Sequence, residues 1–397
     1  MTELLSVEDA LARILERATP LATEDIPLAV ASGRVVAVPA PARTDLPPFP
    51  SSAMDGFAVR ASETPGTLPV AFEVAAGRAV VEHLPAGAAA AIATGGAVPT
   101  GADAVVPVEL VETRDEVVAI PAAVVAGANV RPRGGDVRAG EEVVARGDRL
   151  GAARIGALAA AGVAEVTCAV RPRVAVLATG SELRAPGETL EHGQIFDSNR
   201  VMLAVALTAA GALVEQLPPV ADDEAAHRDA IERGLEADVL VTSGGVSVGP
   251  HDLVRGVGAS LGVEEVFWGV AVKPGKPLSF GVRGRTLVFG LPGNPVSSLV
   301  GAVLFVAPAL LALQGATQPG PQYDSATIEV GLRRNPHRDE FVRAVRRLHG
   351  AGVAVTPVRG QDSHMIVRAS SADALVRVPR GDGEIGAGET VRYVSLA

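Results

Sequence analysis

In the opening segment, MTELLSVEDALARILERATP, apolar positions recur every three or four residues among acids and arginines, which predicts an amphipathic helix over about residues 6 to 18. Pro-rich extended sequence follows. Residues 66 to 145 break into short apolar runs separated by Gly and Pro, the pattern of an all-β region. GAARIGALAAAGVAEVTCAV returns to a small-residue helix and a strand. If that helix packs beside the first, residues 1–45 and 142–170 form one discontinuous unit and 46–141 is a β-rich insertion. From RPRVAVLATG onward strands and helices alternate: VAVLATG, SNRVMLAVALTAAGA, DEAAHRDAIERGLE, ADVLVTSGG, TLVFGLPGN and PVSSLVGAVLFVAPALLAL. Alternation of this kind predicts an α/β domain over 171–316, with a mostly parallel sheet covered on both faces. Beyond the linker GATQPGPQYD, five short alternating strands predict a small β-barrel over 322–397.

Composition narrows the function classes. The 397 residues are 48% apolar and 20% charged, which suits several packed cores. Every apolar run near 18 residues is interrupted, including that at 296 to 313, so no membrane-spanning helix is expected. Acids near the start do not fit a secretory or transit signal, and the expectation is a cytosolic protein. A net charge of −10 argues against broad nucleic-acid binding. The single cysteine, Cys168, lies in strand-like VAEVTCAV and reads as a buried structural thiol. Of 35 basic residues only Lys273 and Lys276 are lysine, three positions apart in AVKPGKPLSF. A compact ammonium differs from a planar guanidinium, so this pair marks a place where the difference matters.

Three turns leave strands with glycine and small polar residues: Thr179-Gly180-Ser181-Glu182, Ser243-Gly244-Gly245 with Ser247, and Pro292-Gly293-Asn294-Pro295. In an open parallel sheet they lie side by side at the ligand-binding edge. Either they simply connect strands to helices, or their backbone N–H groups cradle an anion. In the second reading Glu182 and Asp252 hold Mg²⁺ against that anion, since Mg²⁺ takes a few carboxylates plus substrate oxygens. The two lysines supply opposing charge. Asp197, Ser198 and Asn199 open a helix starting near Arg200, with Ser198 or Asn199 as cap, and Asp197 either touches ligand or supports the cap. No GxxxxGK[ST], no strand-borne GxGxxG, no HExxH and no GxSxG is present.

Nine ordered segments resemble the molybdopterin molybdenumtransferase family, the MoeA type that includes the C-terminal part of gephyrin. They are LPPFPSSAMDGFAVR (46–60), IATGGAVPTGADAVVPVE (92–109), NVRPRGGDVRAGE (129–141), LATGSEL (177–183), IFDSNRVML (195–203), TSGGVSVGPHD (242–252), KPGKP (273–277), LPGNPVSS (291–298) and GQDSHMIVRA (360–369). The resemblance implies a homodimer of four-domain protomers that inserts molybdate into adenylylated molybdopterin, releasing AMP and forming molybdenum cofactor. It also implies catalytic roles for Asp55, Thr94, Asp136, Glu182, Asp222, Asp252, Lys273, Lys276, Arg343 and Ser363, with His251 and His364 as neighbours. One departure is Gly269 after Trp268, where many members carry a cation; Arg283 or Arg285 is the available substitute. Two competing readings are the adenylyltransferase that shares the TSGG domain, and a non-catalytic molybdopterin-binding scaffold. The SAMDG segment and the C-terminal barrel favour the transferase.

Overall fold

The computed structural model describes residues 4–77, 82–221, 223–245, 253–350 and 352–396. Its centre is a six-stranded mixed sheet in the order Leu213–Gln216, Arg173–Ala178, Val239–Ser243, Thr286–Leu291, Ser279–Arg283, Glu264–Trp268. The first four strands are parallel, and the last two run antiparallel to their neighbours. Side-chain alternation feeds two cores. Val174 and Val176 face helices Ser198–Ala209 and Pro295–Leu313, whereas Ala175 and Leu177 face helices Glu224–Gly234 and Leu253–Ser260.

Helix Pro295–Leu313 is long and apolar enough to cross a membrane by length and composition alone, but 72% of it is buried. Val296, Val300, Leu304, Phe305 and Leu310 all belong to the central core, so the helix's apolar surface is consumed inside the domain. A π-helical stretch, Ala302–Val306, interrupts it.

The first helix, Val7–Arg17, is capped by Ser6, whose hydroxyl accepts from the Asp9 N–H at 3.0 Å. Its buried residues Val7, Ala10 and Ile14 join the central α/β core. It packs on Pro295–Leu313 rather than beside the second helix, Ala152–Ala160. That second helix covers a separate core of Ile26, Val36, Leu150, Leu158 and Cys168, where Thr23–Pro27 pairs antiparallel with Glu165–Ala169. Cys168 is fully buried there, and burial pushes its thiol up from the ordinary value.

Between these arms hangs a second six-stranded sheet, ordered Ala104–Pro107, Gly56–Val59, Ala89–Ile92, Gly66–Val74, Val117–Ile120, Glu112–Arg114. Strand Gly56–Val59 is buried on both faces, with Phe57 and Val59 in one core and Ala58 in the other.

The C-terminal strands close into a five-stranded barrel. Asp339–His349 pairs with Gly352–Pro357, which leads through Asp324–Ile328 and Thr390–Ser395 to Ala374–Val378 and back to Asp339–His349. Closure removes the free edges an open sheet of this size would carry. A two-residue strand, Val272–Lys273, adds to the barrel in parallel, in register with Asp339 and Glu340. The barrel is therefore hydrogen-bonded to the α/β domain through the KPGKP segment.

Candidate active site

The carboxyl ends of three parallel strands meet as expected. The Thr179 N–H donates to the Ser243 carbonyl at 3.1 Å, and the Gly244 N–H to the Leu291 carbonyl at 3.1 Å, so the three turns abut. They bound a cavity of about 790 Å³. Its walls come from turns 179–180 and 182, 243–245 and 292–295, and from Asp197, Ser198 and Asn199. Pro277 of the lysine segment, with His364 and Ile366 of the barrel, completes the lining. Ser181 is not part of the wall; its carbonyl accepts from Arg184 at 3.1 Å.

Glycine is required in the second turn. Gly244 has φ +94° and Gly245 φ +64°, and a Cβ on Gly244 would stand 2.7 Å from the Thr179 carbonyl oxygen. A Cβ on either residue would also press on the Thr179 hydroxyl, at 3.0 and 3.1 Å. The hydroxyl of Ser243 is buried: it accepts from Asn199 Nδ2 at 2.9 Å and lies 3.2 Å from the Ser298 hydroxyl. Asn199 Nδ2 also donates to the Gly293 carbonyl at 2.6 Å, tying the helix start to two turns at once. What these turns offer a ligand is thus mainly backbone. The Asn199 Oδ1 and Thr179 Oγ1 atoms are buried without a hydrogen-bond partner, which is uncommon for polar atoms at such depth.

The cap of helix Ser198–Ala209 is Asp197, not Ser198 or Asn199. Asp197 Oδ1 accepts from the Arg200 N–H at 3.1 Å, and Oδ2 pairs with Arg200 Nε at 2.9 Å, with Asp197 only 1% exposed. Asp197, at φ −71° and ψ 88°, is the last residue before the helical turn, so Ser198 and Asn199 already lie inside the helix. Glu182 is exposed at the cavity wall. Asp222, Ser247, His251 and Asp252 lie outside the described residues. Among the described residues no three His, Cys, Asp or Glu side chains cluster.

The three cations expected at the site are not in the cavity wall: Lys273 and Lys276 sit in the KPGKP segment and Arg343 on barrel strand Asp339–His349. Lys273 Nζ pairs with Glu340 Oε1 at 2.9 Å, and Lys276 is exposed. Arg343 is 1% exposed; its terminal nitrogen donates to the Gly360 carbonyl at 3.1 Å and the Asp362 carbonyl at 3.4 Å. Its Nε and other terminal nitrogen are buried without partners, and burial pushes its pKa down against the pull of Asp362 and Glu340. The Ser363 carbonyl accepts from the Val296 N–H at 3.0 Å, so the segment carrying His364 docks on the start of helix Pro295–Leu313.

Asp55, Thr94 and Asp136 stand apart from this cavity, in the inserted β domain and its edge. The Asp55 carboxylate accepts from the Thr94 N–H at 2.6 Å, which, with the Thr94 hydroxyl, holds it below the usual carboxylate range. Gly56 beside it admits no side chain, because a Cβ would lie 2.0 Å from the Val106 carbonyl oxygen. Asp136 is exposed, its N–H bonded to the Leu46 carbonyl at 2.9 Å.

Gly269 has a structural reason of its own. It has φ +88°, and a Cβ there would meet Leu4 at 2.7 Å. A basic side chain here would be strained by the left-handed backbone and would have to push the Leu4 side chain aside. Arg285 is no substitute: it lines a different cavity with Arg17 and Asp238, and donates to the Pro20 carbonyl at 3.4 Å. Sequence reasoning missed Glu340, Arg200, Ser298 and Pro277. Glu340 sits three residues before Arg343, but its partner lies in a distant segment.

Comparison with known proteins covers the chain from end to end. Residues 5–162 match the MoeA N-terminal region (domain I and II), 175–312 a probable molybdopterin binding domain, and 325–396 the MoeA C-terminal region (domain IV). The chain is 37% identical over 386 residues to molybdopterin molybdenumtransferase 2 of Mycobacterium tuberculosis, covering 94% of each. It is 35% identical over 395 residues to molybdopterin molybdenumtransferase of Haemophilus influenzae, covering 98% of each. The solved structure of the molybdopterin biosynthesis moeA protein from Pyrococcus horikoshii OT3 superposes with a TM-score of 0.85 at 27% identity, over 99% of this chain and 100% of that one. With all three regions matched in order and curated relatives aligned over nearly their full length, the chain belongs to the MoeA family of molybdopterin molybdenumtransferases.

Proposed function

We propose that this protein inserts molybdate into adenylylated molybdopterin, releasing AMP and forming molybdenum cofactor, and that it works in the cytosol as a Mg²⁺-dependent homodimer. The observation that carries the reading is the cavity itself: three glycine-bearing turns on one wall, the lysine segment and barrel on the other, in a chain related end to end to molybdopterin molybdenumtransferases. In this reading the N–H groups of Gly245, Gly293 and Asn294 meet phosphate oxygens, since that of Gly244 is engaged by the Leu291 carbonyl and Pro292 and Pro295 have none, and Asn199 fixes the spacing of the turns. Mg²⁺, held by Glu182 and Asp252, would supply Lewis-acid stabilisation of the phosphoanhydride being cleaved. Lys273, Lys276 and Arg343 provide the positive field for charge that develops on the leaving phosphate and for the incoming molybdate. No covalent nucleophile is needed.

Asp55, Thr94 and Asp136 do not line their own protomer's cavity, and this supports a dimer in which each protomer's β domain completes the partner's site. We place the unit boundaries at 1–45 with 142–170, 46–141, 171–316 and 322–397, with helix Val7–Arg17 packed as part of the α/β core.

The test is AMP release and cofactor formation from adenylylated molybdopterin with molybdate and Mg²⁺. Wild type turns over, Lys273→Ala and Asp55→Ala each fail while folded, and mixing the two variants restores about a quarter of the sites, the fraction random pairing in a two-fold dimer gives. Binding of the adenylate with no AMP release under any oxyanion refutes the transfer; failure of the mixture to regain activity refutes the shared site.

A further inference from the structure

Glu340 is the carboxylate that pairs with Lys273. The backbone pairing of Val272–Lys273 with Asp339–Glu340 sets Lys273 opposite Glu340, and the side chains close the contact at 2.9 Å. The neighbouring Asp339 is engaged elsewhere: it accepts from Arg377 at 2.5 and 3.0 Å and from the Arg380 N–H at 2.9 Å. Glu340 is thus free to serve Lys273, and its charge also reaches Arg343 on the same strand.

The pair is asymmetric. The Glu340 side chain is 15% exposed and that of Lys273 is 45% exposed. The carboxylate is the anchored member, and the ammonium, on a flexible four-carbon stem, is the one that can swing. An ammonium can share its three hydrogens between two acceptors and turn from one to the other without the planar fit a guanidinium demands. In a chain that uses arginine almost everywhere else, that property is confined to Lys273 and Lys276.

We infer that Glu340 is a built-in counter-anion: it occupies Lys273 in the ligand-free protein, yields it to an incoming tetrahedral oxyanion, and limits how tightly that oxyanion is held. Glu340 is a positioning and specificity residue; it touches Lys273, not the substrate. The inference rests on the functional reading above and names a regulator of the same site. Because the carboxylate stays fixed and negative about 6 Å from an anion bound on Lys273, removing its charge strengthens oxyanion binding about three- to tenfold.

The experiment uses the full chain and titrates molybdate and tungstate by calorimetry into wild type, Glu340→Gln, Lys273→Gln and the double variant. The expected result is three- to tenfold tighter binding in Glu340→Gln, with the gain absent in the Lys273→Gln background. A second measurement needs no substitution at Glu340. With only two lysines in the chain, ¹³C labelling at lysine Cε gives two resonances, assigned with Lys276→Arg, and molybdate shifts that of Lys273 in wild type. Binding that is equal in wild type and Glu340→Gln, or saturation by molybdate that leaves the Lys273 resonance unmoved, overturns this inference alone. Wild type that binds neither oxyanion overturns the functional reading of the site, and this inference with it.

Discussion

Gly244→Ala is the sharpest test of the turn geometry. The residue sits at φ +94°, where an L side chain is strained by roughly 1–2 kcal/mol. The added Cβ would also stand 2.7 Å from the Thr179 carbonyl oxygen, inside any real contact distance, and that oxygen is backbone that cannot rotate away. Overpacking of this kind adds about 1–3 kcal/mol, for a total loss of roughly 2–5 kcal/mol. Gly293→Ala in the adjoining turn is the matched control. Its φ lies outside the left-handed region and its Cβ would rest 3.7 Å from the Gly244 Cα, an ordinary contact, so it changes stability by less than about 1 kcal/mol. The only tryptophan, Trp268, lies on the edge strand of the same sheet and reports that domain's unfolding in urea. With a slope of about 2 kcal/mol per molar, Gly244→Ala lowers the midpoint by roughly 1–2.5 M. Equal midpoints for the two variants would refute the claim that backbone conformation and the Thr179 contact, rather than generic smallness, demand glycine at 244.

Asp197→Ala removes both the helix cap and the partner of the mostly buried Arg200, and loses about 2–4 kcal/mol in the same urea assay. Arg377→Met leaves the buried Asp339 without its two side-chain bonds and cuts the tie to Glu8 on the first helix; about 3–5 kcal/mol is lost, read as an earlier thermal transition. Asp55 has a depressed folded pKa, so its bond to Thr94 contributes above the ordinary carboxylate value of 3.8 and is lost as pH falls through the lower folded value. Carboxyl NMR of Asp55 therefore titrates below its unfolded position, and Asp55→Asn abolishes that part of the acid limb. Cys168, buried and raised in pKa, resists iodoacetamide at neutral pH until urea opens the arms around it.

The parts of the fold that sequence made legible are those carried by local period. Val7, Ala10 and Ile14 mark the buried face of the first helix, but a stripe identifies a face and not its partner, and the partner is Pro295–Leu313 rather than the second helix. The α/β alternation and the five barrel strands were likewise readable. The antiparallel edge formed by Ser279–Arg283 and Glu264–Trp268 was not, because the first of these strands is buried almost throughout and does not alternate, and its pairing with the second lies outside any local period. At the site, the three turns were visible as glycine after apolar runs. The Asp197 cap was displaced by one position because Asp, Ser and Asn in succession all suit the role, and only backbone angles choose among them. Gly269 read as a missing cation, and only the backbone shows that it also occupies a left-handed conformation that favours glycine. Glu340 carried no signal at all, since its meaning depends on strand register 67 positions away in the chain.

The two-residue strand Val272–Lys273 has a consequence for how this architecture can be cut and recombined. The α/β unit is continuous in sequence and invites use as a portable module. Yet its lysine segment borrows edge hydrogen bonds from the barrel, and Leu5 of the N-terminal segment bridges to Val270 just before it. An excised 171–316 fragment would keep the glycine turns and their backbone donors while releasing the lysines from their template. Grafting the module into another protein would carry both lysines along but leave behind the barrel strand and the Glu340 carboxylate that hold Lys273 in place.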